Sequence, residues 1–453
     1  MNTIKIFFVV LFVITIYACQ PSAVRETVEP HPVTEEGLIA SSLYAAERVG
    51  SDDVMANMLR RISLLKVRQD QFDTALEFAD QIPTQSEKDR TIADIAIAIN
   101  DQGERGRARS IAAQIESDYE KSRVLAEIAV AYERAEEYRQ GRELAEEITD
   151  PNFKARAIAE IAVVYQEAGY GDLASRLFNQ ALTAARTEQS ITHHIETLLF
   201  IAEQYYEAGR QQGARDVFAD ALRLADDVRL EQHVVSVWGN FLTSYRKAGQ
   251  DNTVIEHALT AARDMGEAEG YYRDELLSRI AIALAHESNY DRAQSVTGDI
   301  EDAPLRATTY SRLAVIAHNR NDTEEAGGLL NTAVEVSGTM SEGTFKQRAM
   351  RDIAIHAVEM HQYDTVDRLL DKIDEPQFAA DAASLAADTA LEEDDEDAFN
   401  RYLKKTVAAF DIIEDPVVKS EILFSIAELY ERSGYTPDED TKLIVSKALH
   451  AVD

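Results

Sequence analysis

From about residue 53 onward, apolar residues recur at helical spacing in paired blocks. The stretch EIAVVYQEAGYGDLASRLFNQAL, Glu160 to Leu182, shows the unit. Ile161, Ala162 and Tyr165 share one face of a first helix, Gly169 marks a turn, and Ala174, Phe178 and Ala181 share one face of a second. Such a helix pair cannot bury its apolar face alone. Its copies supply the packing surface. EIAVVY recurs as DIAIAI, EIAVAY, FIAEQY, RIAIAL, RLAVIA, DIAIHA, SLAADT and SIAELY, with weaker copies RISLLK and NFLTSY. The second residue of each block, always apolar, serves as an anchor. The eleven anchors are Ile62, Ile95, Ile128, Ile161, Ile201, Phe241, Ile280, Leu313, Ile353, Leu385 and Ile426. Recurrence at this period predicts an all-α solenoid of about eleven antiparallel helix pairs.

The spacing between anchors takes two values, about 33 and about 40 residues. Seven residues are roughly two helical turns. The longer units are therefore expected to carry longer second helices that keep the same buried stripe. One position tracks the length. Twenty residues after the anchor, short units have Ile82, Ile115, Ile148, Ile300 and Ile373, whereas long units have Ala181, Ala221, Ala261 and Ala333. Isoleucine can plug the end of a short helix, and alanine lets a longer one pass close to its neighbour. Lys405 departs from the rule. Pro83, Pro151, Pro304, Pro376 and Pro416 all fall between units, where they cost least. Pro437 after Thr436 predicts the start of the last helix.

These residues resemble the tetratricopeptide repeat family. Ile161, Ala162, Tyr165, Gly169, Ala174, Phe178 and Ala181 match its pattern, as do Ile201, Ala202, Tyr205, Gly209, Ala214, Phe218 and Ala221. Trp238, Tyr245 and Gly249 also fall at family positions. The resemblance covers about 53–452 and is strongest in 120–265. It implies a right-handed superhelix, a protein-binding role, and an inner face lined by the first helices.

Charge and cysteine usage narrow the function. The 453 residues carry a formal net charge of −35, which argues against a nucleic-acid backbone as ligand. The one cysteine, Cys19, excludes an intrachain disulfide and a cysteine-rich zinc site. Residues 1–18 have Lys5 followed by an apolar run, the layout of a secretory signal. Ile16, Ala18 and Cys19 resemble a bacterial lipoprotein signal, with Tyr17 departing from the usual small residue. That resemblance implies lipidation at Cys19 and, with Gln20 following, the outer membrane. Residues 19–36, with Pro21, Pro30 and Pro32, read as a flexible tether, and 37–453 as the solenoid.

Candidate chemistry is sparse. His193 and His194 are adjacent on a helix and lack the paired spacing of a zinc helix. His286, His318 and His356 fall at different phases of their repeats. The run EEDDED, Glu392 to Asp397, lacks the alternating ligands and central glycine of a calcium loop. No catalytic residue, cofactor or metal is expected. What remains is a surface. Two residues after each anchor, the chain has an apolar lane that includes Val130, Val163, Ile282 and Val315, interrupted by Glu203 and Thr243 with Tyr206 and Arg246 nearby. The lane reads as helix-to-helix core or as a strip for a bound peptide, and the interruption as the place for specificity. The resulting expectation is a membrane-tethered protein-binding scaffold of the bacterial cell envelope. A peptide-, glycan- or solute-binding module is the alternative, with an enclosed pocket as its signature. An enzyme would show buried carboxylates or histidines with shifted pKa values.

Overall fold

The computed structural model describes residues 31–266 and 269–452, and the candidate signal and Cys19 lie outside them. The described chain contains 23 α-helices and no strand. Helix α1 (Leu38–Val49) comes first. Ten pairs follow, each a first helix and a second helix: α2 (Asp52–Arg68) with α3 (Phe72–Asp80), α4 (Gln85–Asp101) with α5 (Arg105–Ala112), α6 (Asp118–Arg134) with α7 (Tyr138–Glu147), α8 (Pro151–Glu167) with α9 (Gly171–Ala185), and α10 (Ile191–Glu207) with α11 (Gln211–Ala225). The second half continues with α12 (Glu231–Ser244) and α13 (Thr253–Asp264), α14 (Gly270–His286) and α15 (Tyr290–Gly298), α16 (Ala303–Asn319) and α17 (Thr323–Thr339), α18 (Thr344–Glu359) and α19 (Tyr363–Leu370), and α20 (Pro376–Glu392) and α21 (Glu396–Asp411). The chain closes with α22 (Pro416–Ser433) and α23 (Glu439–His450).

Local sequence explains these boundaries. Asp150 and Asp415 each stand before a proline and accept two backbone N–H groups of the first turn, so cap and proline together start α8 and α22. Gly169 has φ +85°, the left-handed turn that lets α8 fold back into α9. In the short units the second helices have 8 to 10 residues, and in the long units 12 to 17. The two-turn difference is therefore in the second helix, as the spacing predicts. Ile82, Ile115, Ile148, Ile300 and Ile373 are all buried just beyond the short helices. One boundary differs. The last helix is capped by Asp438, which accepts from Thr441 N at 2.8 Å, and not by Thr436. An aspartate one residue past Pro437 is the better acceptor and shifts the start.

Each first helix packs on its own second helix and on the first helices before and after it. The eleven anchors stand at these junctions, and all but Leu385, which is partly buried against the core, are buried. The series does not end as an open solenoid. Helix α22 takes α1, from the other end of the chain, as its outer partner, and α1 leads directly into α2. Ala46 of α1 meets Met58, Ile62 and Leu65 of α2 and Phe424 of α22 in one buried cluster. The pairs Lys66–Glu431 at 3.0 Å and Arg68–Glu428 at 2.6 Å join α2 to α22 side by side. Asn57 with Glu421, Arg61 with Ser425 and Lys66 with Glu431 follow the same order along both helices, the parallel register also seen between α2 and α4 in Arg60 with Asp94 and Asp70 with Gln102. The fold is a closed ring of eleven first helices. Helix α23 lies outside against α21 and α1.

Closure also corrects the reading of the tether, which was expected to run through Glu36. His31 is buried and its N–H donates to Ser446 Oγ at 3.1 Å. Residues Pro32–Glu36 form a 3-10 turn beside α1 and α23. The substantial contacts among the described helices join only neighbours around the cycle. Eleven axes spaced about 8–10 Å apart make a wall roughly 100 Å around. After subtracting the side chains, this leaves an opening on the order of 20 Å.

Candidate functional site

The first helices line the opening, and each is sandwiched on its other faces. The lane two residues after the anchors is not one continuous strip. Val130 and Val163 are buried in the core between neighbouring helices, so they are not part of an accessible surface. Ile282, Val315 and Glu203 are half-buried, whereas Thr243, Tyr206 and Arg246 are exposed.

Three of the expected residues meet in one groove. Thr243, Arg246 and Ile282 line a cavity of about 1040 Å³ that runs along α14 between α12 and α16. Glu203, Tyr206 and Val315 lie on adjacent helices and do not line it. The floor is Leu242, Ile282, Ala283 and Leu305, and Tyr271 stands at one end. Four cations face the groove: Arg246, Lys247, Arg279 and Arg312. They are opposed by two carboxylates, Glu275 and Asp302.

The side chains are held in different ways. Arg279 pairs with Glu275 one turn earlier, at 2.8 Å. Its stem crosses the backbone of α12 at Gly239, where a Cβ would come within 2.5 Å of Arg279 Nη1. Glu287 clamps α12 to α14 by accepting from the buried Tyr245 hydroxyl at 2.7 Å and approaching Arg246 Nε at 3.3 Å. Arg246 also donates to the His286 carbonyl at 3.0 Å. Asp302 caps α16 by accepting from Leu305 N at 2.8 Å. Among the described residues Arg312 and Lys247 make no ion pair. Burial and the guanidinium groups of Arg246 and Arg320 hold the His286 ring below its ordinary pKa, consistent with a positive local potential.

The preceding part of the wall carries two carboxylates that are raised chiefly by burial. Glu160 on α8 is pushed up by burial and by Glu127 and Glu207, against Arg134 and Arg156. Glu203 on α10 is pushed up by burial, against a hydrogen bond from Ser244 and the charge of Lys247. The cations of the groove begin at the end of α12. Tyr206 sits near this boundary over Gly249, which has φ +65°. A Cβ on Gly249 would fall 2.0 Å from the tyrosine ring.

Groups with shifted pKa values, the mark of the enzyme alternative, do occur on the wall. Ser311 Oγ lies 2.8 Å from His356 Nδ1, and burial, then Arg312, pushes His356 down to about 4. The Ser311 hydroxyl is fully buried and donates to the Thr308 carbonyl, so it is not presented to a substrate. Glu160, Glu203 and His356 sit on three different helices, and none lines the groove. Residues Glu392 to Asp397 span the end of α20, the turn and the start of α21, where Asp395 accepts from Ala398 N. Among the described residues no group of three His, Cys, Asp or Glu side chains could hold a metal ion, and no helix is long and apolar enough to cross a membrane.

Sequence reasoning missed Arg279, Arg312, Lys247 and Tyr271. The available signal was the column just before each anchor, which reads Arg279 and Arg312 in consecutive units after a run of Glu127 and Glu160.

No protein-family model matches the chain, and no curated protein matches it. Similar solved structures include Ton1535 from Thermococcus onnurineus NA1, with 17% identity over 74% of this chain and 99% of that one, at a TM-score of 0.31. A circular tandem repeat protein aligns at 13% identity over 92% of this chain and 93% of its own, with a TM-score of 0.25. Yeast Tom70 aligns at 13% identity over 84% and 97%, with a TM-score of 0.23. Similarities this distant transfer no function.

Proposed function

We propose that the protein is a lipid-anchored scaffold of the bacterial cell envelope whose ring holds a protein partner against its inner wall. The observation that carries this reading is the groove along α14. At about 1040 Å³ it stands at the upper end of the roughly 300–1,000 Å³ of small-molecule pockets, and it is built from three successive first helices rather than enclosed by one. Its exposed Tyr271 and its arginines are the residue types that dominate protein interfaces. The anchor rests on Cys19 and its flanking sequence, and the outer membrane on Gln20.

The alternative is a solute-binding module. It draws support from the convergence of polar groups on one apolar floor, the feature expected of a ligand pocket. The two readings differ in what the groove touches in the cell. A photo-crosslinking residue placed at Thr243, in native envelopes, should yield one stoichiometric protein adduct. The adduct should fall with Arg246→Ala and with Cys19→Ser. No protein adduct from folded, membrane-associated protein would sink the scaffold reading and favour the solute-binding one.

A further inference from the structure

We infer that the partner presents an acidic amphipathic helix, seated lengthwise along α14 in the groove. The inference rests on the scaffold reading and specifies the chemistry of its partner. Tyr271 and His286 mark the ends of the groove and are fifteen residues apart on one helix, so the groove is about 22 Å long, or four turns. The cations occupy two levels. Arg279 and Arg312, each immediately before its anchor, stand midway. Arg246 and Lys247 stand at the end marked by His286. The levels are seven residues apart on α14, about 10 Å. Between them lie Leu242, Ile282 and Ala283.

A helix reproduces that arrangement directly. Carboxylates at i and i+7 fall on one face about 10 Å apart, and apolar residues at i+3 and i+4 fall between them. The open ridge of α14, flanked by α12 and α16, provides a helix-in-groove seat. Charge favours the acidic sign. The chain as a whole carries −35, so most of its surface repels carboxylates. Arg312 and Lys247 face the groove without an ion pair, and Arg279 and Arg246 are each opposed by a single carboxylate at one side. A carboxylate at the middle level would meet Arg279 and Arg312 together. Glu203, on α10 beside α12, bounds the groove's cations on that side.

The test uses the full chain and a stapled, fluorescein-labelled 18-residue helical peptide with Glu at i and i+7 and Leu at i+3 and i+4. Fluorescence anisotropy should show saturable binding, at least tenfold weaker for the same peptide with Lys in place of Glu. Arg279→Glu with Arg312→Glu should reverse that preference while circular dichroism stays unchanged. Equal binding of both peptides, or an unaltered preference in the double variant, would overturn the inference. Complete displacement by equimolar oleate would also overturn it, in favour of a small anionic amphiphile. A photo-crosslinker at Ile282 in native envelopes separates the two levels of the argument. An adduct mapped to an acidic helix of a protein supports the inference. A protein adduct in a segment lacking carboxylates overturns it and leaves the scaffold reading intact. A lipid adduct alone removes both.

Discussion

Two junctions in the ring do the same job with different means. Between α8 and α10 the chain is continuous through α9, and Phe178 of α9 stacks on Tyr205 of α10 with ring centroids 4.0 Å apart. Between α22 and α2 nothing covalent connects the neighbours. There α1 supplies the outer helix, Phe424 fills the centre, Arg61 lies over that ring at 4.3 Å, and ion pairs run along the edge. The comparison teaches that a unit is defined by its packing and not by chain order. The eleventh pair is complete only when residues almost 400 positions apart meet.

The strongest way to break the equivalence is to delete residues 31–50. The outer face of α22 and the adjoining face of α2 would lose their cover. Small-angle scattering should then report a larger radius of gyration, and proteolysis should begin near α22. A compact, protease-resistant deletion variant would mean that α1 is dispensable for closure.

Phe424→Ala and Phe178→Ala sharpen the contrast. Each removes a buried aromatic side chain and should cost about 3–5 kcal/mol by denaturant unfolding. Only Phe424→Ala should also expand the ring under native conditions. Equal scattering profiles for the two variants would make the junctions mechanically alike.

An ordinary junction also carries a cost that the seam lacks. Glu133 at the end of α6 is fully buried, and neither carboxylate oxygen has a hydrogen-bond partner. The hydroxyl of Tyr165 lies close but out of hydrogen-bonding geometry. Gly141 gives the carboxylate its space, since a Cβ there would come within 2.6 Å of Glu133 Cγ. Burial raises the Glu133 pKa, with Tyr165 and Arg142 opposing. The folded state therefore holds this proton to higher pH than the unfolded chain does. Stability is lost as pH rises from the unfolded value through the raised folded one, and the full penalty applies above it. Glu133→Gln should stabilise by about 1–3 kcal/mol at pH 8, with the gain shrinking toward pH 4. Thermal melts of both proteins across that range check the sign. A gain that grows on acidification would refute the assignment.

The smallest effect belongs to the ion pairs at the seam. Arg68→Ala should cost about 0–1 kcal/mol at low salt, because the arginine is mostly exposed. The cost should fade in 1 M salt, where the Debye length is about 3 Å. A salt-independent loss would point to packing of the arginine stem and not to charge.

Much of the ring was legible in local pattern. The anchors, the Ile-or-Ala rule and the interunit prolines are short-range signals, and each reports its own helix. Closure was not, because it depends on two ends that share no motif. A trace existed in Leu38, Ser42 and Ala45, which repeat the spacing of Ala174, Phe178 and Ala181 and mark α1 as a second helix with no first helix before it. The groove was half legible. Thr243 and Ile282 followed from one lane of the repeat and Arg246 from its neighbourhood, whereas Arg279 and Arg312 lie on another lane. Val130 and Val163 share the lane of Ile282, yet neighbouring helices cover them. Lane position gives direction, and the separation of neighbours decides exposure.

His31 beside Ser446 means that the chain's entry and exit stand together on the ring's rim. In topological terms the gap in the backbone is one more turn between helices, placed at one of eleven similar junctions. A short linker joining His450 to His31, whose ring centroids lie 5.0 Å apart, with a new opening cut at Gly249 or Gly209, would give a circularly permuted ring that needs no new packing. The sequence can therefore be read as a cycle whose starting point is separable from its shape.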